Sequence, residues 1–235
     1  MNIHTVLFDL DGTLLPMEQT AFIKDYFGRL AQKLAPLGYE PKKLLQTINA
    51  GVEAMVRNDG SRKNEDAFWN LFCSVYGEAA RADLPVFEDF YRNEFQQVKE
   101  SCGFAKEAAP LVRSLREKGY RLVLATNPLF PPVATHSRIR WAGMEPEDFD
   151  YITTYDNSSF CKPNPAYYEE IVSKLNLDPK ACLMVGNDAQ EDMAALTLGM
   201  QGFLLTPCLI HRGGDISAIA QGGFDALKAY LNGLK

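Results

Sequence analysis

The chain has no C-x-x-C pair, no apolar run long enough to span a bilayer, no excess of positive charge and no internal repeat or low-complexity tract. Each absence removes a class of protein. The five cysteines, Cys73, Cys102, Cys161, Cys182 and Cys208, are odd in number and scattered. That argues against a disulfide framework or a structural zinc site and fits a reducing compartment. No stretch approaches the ~18 apolar residues of a membrane-spanning helix. The opening MNIHTVLFDLDG has no basic segment followed by a long apolar one. No membrane association and a cytoplasmic location are therefore expected. The net charge of −6 argues against binding a nucleic-acid polymer through bulk electrostatics. It leaves a small anionic substrate open, because a bound divalent metal dominates its local field.

What is present is an ordinary globular composition, 46% hydrophobic and 23% charged over 235 residues. That length allows one sizeable core plus a smaller domain. From residue 18 to about 101 the pattern is helical. Phe22, Tyr26, Leu30 and Leu34 recur every four residues, and Leu44, Leu45, Ile48, Val52 and Met55 continue the helical rhythm. The polar stretch 58–63 reads as a loop, and Asn64 reads as the cap of a third helix carrying Phe68, Leu71, Phe72 and Val75. Phe87, Phe90, Tyr91 and Phe95 form a fourth pattern. From residue 107 helices and strands alternate. Helices are expected at 107–118, 132–142, 165–175 and 188–198. Strands are expected at 120–125, 149–154, 181–185 and 201–205, with short terminal helices at 216–220 and 224–231. Together with the strand TVLF at the start, this predicts an α/β fold: a Rossmann-like parallel sheet with helices on both faces and an inserted all-helical domain. The expected division is a core of residues 1–16 and 103–235 and a helical domain of residues 17–102.

The polar residues that interrupt this pattern fall at related places. Asp9 and Asp11 follow the first strand, with Gly12 and Thr13 behind them. Thr126 and Asn127 follow YRLVLA, and Asp188 and Asp192 follow ACLMV. Lys162 lies in the loop FCKPNP, just before a helix. In a parallel sheet, strand carboxyl ends share one edge, where open α/β sheets bind ligands. Acids from two strand ends suit a hard cation such as Mg²⁺, which takes few protein oxygens. A hydroxyl, an amide and a lysine suit phosphoryl oxygens.

The string TVLFDLDGTLL, followed by these three groups in order, resembles the four motifs of the haloacid dehalogenase-like hydrolase superfamily, the aspartate-nucleophile phosphatases. The resemblance spans essentially the whole chain. It implies Asp9 as nucleophile and Asp11 as general acid and then base. It implies Gly12, Thr13 and Asn127 near the substrate, Thr126 on the transferring phosphoryl group and Lys162 as the balancing charge. The implied Mg²⁺ ligands are Asp9, the main-chain carbonyl of Asp11 and Asp188. Many relatives carry Gly-Asp in the last motif, whereas this chain carries Gly186-Asn187-Asp188. Asn187 or Asp188 takes that place, and the stronger ligand is the aspartate. Asp192, one helical turn on, is left with two roles: holding a metal-bound water or orienting Lys162.

Dehalogenases of this superfamily lack an acid two residues after the nucleophile, and phosphonate-cleaving members resemble D-x-A-G-T. Asp11 therefore points to a phosphate ester, and the helical insertion resembles the cap of the phosphoglycolate phosphatase-like and nucleotidase-like branch. The expected function is a Mg²⁺-dependent phosphatase acting on a small phosphorylated metabolite. A phosphomutase and a non-catalytic phospho-ligand binding protein are the alternatives. Three further features carry less. His136, Arg138 and Arg140 are expected to form one solvated helix face. Cys161 beside Lys162 is either a reactive thiol or a packed one. Phe68, Trp69 and Phe72 belong either to a pocket or to the core.

Overall fold

The structure is a computed structural model that describes residues 3–234. The first strand, β1 (Thr5–Phe8), is fully buried. Its four apolar or β-branched residues suit a strand covered on both faces. The chain then leaves the sheet. Helices α1 (Gln19–Leu34), α2 (Pro41–Val56), α3 (Asn64–Tyr76) and α4 (Leu84–Arg92) follow, with a 3₁₀ segment at Glu94–Ser101. Glu18 starts α1, because its carboxylate accepts from the backbone N–H groups of Thr20 and Ala21 at 2.9 and 2.7 Å. Glu40 does the same for α2, just before Pro41 at the first helical position. These helices pack through aromatic rings. Phe72, fully buried, meets Phe87 edge-on at 5.6 Å between ring centres. The Tyr26 and Tyr91 hydroxyls hydrogen-bond at 2.8 Å inside the same cluster. The insertion enters and leaves at one point. Met17 and Cys102 pair as an antiparallel bridge, and the Gly103 N–H donates to the Pro16 carbonyl at 2.7 Å.

The remaining elements alternate: α5 (Ala108–Glu117), β2 (Arg121–Leu124), α6 (Pro132–Trp141), β3 (Tyr151–Ile152), α7 (Pro165–Leu175), β4 (Cys182–Gly186), β5 (Gln201–Leu205), β6 (Ala220–Gly222) and α8 (Phe224–Gly233). The six strands form one parallel sheet in the order β3-β2-β1-β4-β5-β6. This is the α/β architecture expected from the alternating pattern. The strand order reverses at β1, so the crevice at its carboxyl end is the place where such sheets hold ligands. Apolar clusters cover both faces. Val6, Phe8, Leu122, Leu124, Leu183 and Val185 face one side, and Leu7, Val123, Met184 and Leu204 face the other. No helix among the described residues is long and apolar enough to cross a membrane.

Three local expectations need correction. Asn64 does not cap α3. Its side chain is fully buried and donates to the Pro128 and Phe160 carbonyls, a more demanding set of partners than a helix end. Residues 188–198 do not form one helix. Asp188 closes a turn on the N–H groups of Gln190 and Glu191, and a 3₁₀ segment starts only at Met193. The short helix at 216–220 is absent. The chain there runs into β6, which takes the open edge of β5 and satisfies backbone groups that a helix would leave exposed.

Candidate active site

Asp9 is held by the sheet itself. Its N–H donates to Val185 on β4 at 2.9 Å, and the carbonyl before it accepts from Ala125 after β2 at 2.7 Å. Its carboxylate is therefore fixed between the two neighbouring strands. Lys162 donates to Asp9 Oδ1 at 2.9 Å and to Asp192 Oδ1 at 2.6 Å, and all three side chains are buried. Burial alone would lower the Lys162 pKa, but Asp192 and Asp9 outweigh it and hold the ammonium well above its ordinary value. Burial pushes Asp192 up, against the pull of Lys162. The second oxygen of Asp192 accepts from the Asp188 N–H at 2.9 Å. Both of its oxygens thus face inward, one to Lys162 and one to the backbone.

Thr13 ties the ends of β1 and β4 together. Its hydroxyl lies 2.9 Å from Asn187 Oδ1 and 3.2 Å from Asp9 Oδ2. The Asn187 amide donates to the Cys208 carbonyl at 2.8 Å. Asn187 is thereby a strut held at both the oxygen and the nitrogen of its amide. Asp188 points elsewhere, with its oxygens 2.9 and 2.7 Å from Arg212 Nη1, on a guanidinium that is half exposed. Asn127 also bridges, accepting from the Lys162 N–H and donating to Glu191, each at 3.2 Å. Thr126 is buried, and its carbonyl accepts from Thr153 at 2.6 Å and Tyr167 at 2.9 Å.

A cavity of about 650 Å³ opens between the sheet edge and the helical insertion. Asp9, Asp11, Thr126, Asn127, Asp188 and Asp192 all line it, and Lys162 reaches it through Asp9. Residues 3–198 match the haloacid dehalogenase-like hydrolase family. The chain belongs to that family.

Similar proteins agree with this hydrolase assignment. A glyceraldehyde 3-phosphate phosphatase from Methanothermobacter thermautotrophicus is 28% identical, over 86% of this chain and 85% of that protein. The pyrophosphatase PpaX of Halalkalibacterium halodurans is 24% identical, over 86% and 82%. Among solved structures, a 2-haloacid dehalogenase from Pseudomonas syringae aligns with a TM-score of 0.64 at 19% identity, over 99% of this chain and all of that one. A phosphatase of the same family from Thermococcus onnurineus aligns at 0.60 and 20%, over 99% of each. At that identity the two structures speak to the fold.

The structure of this hydrolase also shows residues that the sequence reading misplaced. Arg138 does not belong to a solvated face. Its side chain is 1% exposed, its guanidinium pairs with Asp11 Oδ2, and it lies 4.3 Å over the Phe130 ring. Positions 136 and 140 are two residues away, on the opposite side of a helix that turns 100° per residue. The signal was available: Ala134, Trp141 and Ala142 flank Arg138 at the helical spacing of a buried face. Arg212 escaped notice as well, because it lies outside every motif. Cys161 is a packed thiol. It accepts from Asn64 at 3.3 Å, and burial raises its pKa to about 12. Phe68 and Trp69 line the cavity, while Phe72 packs in the core behind them.

Gly12 has φ +86°, a left-handed conformation, and a Cβ placed there would lie 2.3 Å from Asn187 Nδ2. Gly12→Ala combines backbone strain with a clash against a tied side chain. The expected loss is about 2–4 kcal/mol of stability, read as a lower midpoint in urea.

Proposed function

We propose that this hydrolase is a Mg²⁺-dependent phosphatase that moves the phosphoryl group of a small phosphorylated metabolite first to Asp9 and then to water. The observation that carries the reading is the Asp11 carboxyl. It lines the same cavity as Asp9, one oxygen pairs with Arg138, and the other is buried without a protein partner. Burial and the nearby charge of Asp9 raise its pKa, and Arg138 limits the rise. A carboxyl with a raised pKa and one free oxygen suits proton transfer in both directions.

In the first step an Asp9 oxygen attacks phosphorus and the bond to the leaving oxygen breaks, with Asp11 giving that oxygen its proton. In the second step the Asp11 carboxylate takes a proton from water. The water oxygen attacks phosphorus, the bond to Asp9 breaks, and inorganic phosphate leaves. Lys162 offsets the charge of Asp9 and of the bound phosphate, Asp192 orients Lys162, and Thr126 contacts the phosphoryl oxygens. Splitting one displacement in two lowers the barrier of each.

The donor set fits Mg²⁺. No three metal-binding side chains converge as a ready-made cage among the described residues. Mg²⁺ does not require one, since it uses one or two carboxylates with carbonyls, waters and phosphate. Asp9, the Asp11 carbonyl and Asp188 would hold it, with the half-exposed Arg212 giving way at Asp188. Charge agrees. Among the described residues Asp9, Asp11, Asp188, Glu191 and Asp192 meet only Lys162, Arg138 and Arg212, which leaves two carboxylates uncompensated when all are ionised. When bound, the cation neutralises charge on the phosphoryl oxygens. Residues 17–102 act as a cap that excludes water and selects the leaving group.

The test uses p-nitrophenyl phosphate, whose leaving group needs no proton. Wild-type turnover should stop with EDTA and return with Mg²⁺. Asp11→Asn should release one equivalent of p-nitrophenol quickly and then turn over about 10²–10⁴-fold more slowly than wild type, for want of the base. Undiminished steady turnover in Asp11→Asn, or indifference to EDTA, would remove the reading.

A further inference from the structure

The wall of the cavity that faces Asp9 across the site comes from the insertion, and its chemistry is one-sided. Phe22, Ile48, Phe68, Trp69, Phe87 and Tyr91 line it, drawn from all four helices α1 to α4. The acids Glu65 and Asp156 stand among them. Burial and the charge of Asp156 raise the Glu65 pKa, while a hydrogen bond from Tyr155 and the charge of Arg81 oppose the rise. Among the described lining residues Arg92 is the one cationic side chain, and it pairs with Glu88 at 3.0 Å. The cavity of about 650 Å³, the place of the phosphoryl group included, exceeds what a three-carbon or pyrophosphate leaving group fills.

We infer that the leaving group of the substrate is a bulky aromatic or branched apolar alcohol with no second anionic group. This rests on the phosphatase reading and names its substrate class. An apolar body replaces water against the aromatic wall, and the wider the ring the more surface it covers. A second phosphate or carboxylate would instead stand near Glu65 and Asp156, and Arg92 would have to leave Glu88 to meet it. Compact metabolites, and above all those with a second anionic group, are therefore poor occupants, although glyceraldehyde 3-phosphate and pyrophosphate name the activities of similar proteins. Selectivity lies in the helices, while the sheet edge handles only the phosphoryl group.

The experiment compares 2-phenylethyl phosphate with glycerol 3-phosphate, phosphoglycolate and pyrophosphate on the full chain with Mg²⁺. The first two leave as alcohols of similar basicity, so their difference reads the cavity and not the chemistry. The expected kcat/KM for the phenylethyl ester is about 10–100-fold the higher. Phe68→Ala should shrink that ratio, and Glu65→Lys should shift selectivity toward pyrophosphate. Calorimetry with the uncleavable 2-phenylethylphosphonate and phosphonoacetate reads the cavity without turnover and should show the same preference. Asp9-dependent cleavage that favours pyrophosphate or phosphoglycolate overturns this inference and leaves the phosphatase reading intact. Preferred binding of the phenylethyl phosphonate with no ester cleaved overturns the phosphatase reading and keeps the cavity's selectivity. Equal binding of both phosphonates overturns the inference whatever the turnover.

Discussion

Asp9→Asn should lower turnover of every phosphate ester by at least about 10⁴-fold, a barrier increase of about 5 kcal/mol. The amide has no charge to attack phosphorus and forms no comparable acyl phosphate. The same substitution should leave the fold as stable as before, or raise the melting temperature by a few degrees. Lys162 now balances two carboxylates, Asp9 and Asp192, at 2.9 and 2.6 Å. Removing one leaves a one-to-one buried pair, and it also relieves the repulsion that Asp9 exerts on Asp11. Loss of activity with stability retained is the signature of a group kept for chemistry at the expense of packing. Loss of activity together with unfolding would instead mark Asp9 as a structural residue, and retained activity would exclude it as nucleophile. Thermal melts beside phosphate-release assays decide among the three.

Arg138→Met carries the second large effect, and it strikes both stability and turnover. The guanidinium is buried, and Asp11 Oδ2 is its charged partner. Deleting it strands a carboxylate in a poorly solvated place. Breaking a fully buried pair costs about 3–5 kcal/mol, and the part of Asp11 that faces the cavity reduces this to about 2–4 kcal/mol. Without Arg138 the main restraint on the Asp11 pKa is gone and only Lys162 still lowers it, so Asp11 stays protonated further up the pH scale. It can still give a proton to the leaving group but is slower to take one from water. Steady turnover should fall about 10²–10³-fold at neutral pH, and part of the loss should return as the pH rises. Replacing both partners, Asp11→Asn with Arg138→Met, should recover most of the lost stability, since neither charge is then left unpaired. A single variant as stable as wild type in urea would show that the pair contributes nothing.

The sheet was readable because its strands are buried on both faces. VLF, LVLA and CLMV are short apolar runs that stand out against amphipathic helices. The strand ends were readable for the opposite reason. Asp9, Asp11, Thr126 and Asp188 are polar residues placed directly after apolar runs, where nothing in packing asks for them. The structure brings Asp9, Asp11, Thr126, Asn127, Asp188 and Asp192 to one cavity, with Lys162 on Asp9. What stayed hidden depends on tertiary contact. Arg138 looked like surface because charge usually means surface, and only the helix period argued otherwise. Asn64 had every local mark of a cap, yet carbonyls from loops 64 and 96 residues away claimed it. The segment 188–198 carries helical spacing, but Asp188 and Asp192 turn inward to Arg212 and Lys162, and that pull breaks the helix into a turn and a 3₁₀ piece.

The strand order also sets a timetable. β1 lies in the middle of the sheet but is made before both of its neighbours, residues 121–124 and 182–186. At about 5–20 residues per second, roughly 10–35 s separate the synthesis of β1 from that of its second neighbour. Throughout that interval a mostly apolar strand with both edges open has emerged with no sheet to join, which is the condition that recruits chaperones. The helices at Gln19–Arg92 follow it immediately and have aromatic contacts of their own to make. On the ribosome, the helical insertion is therefore also the first neighbour able to shelter the strand that leads to Asp9.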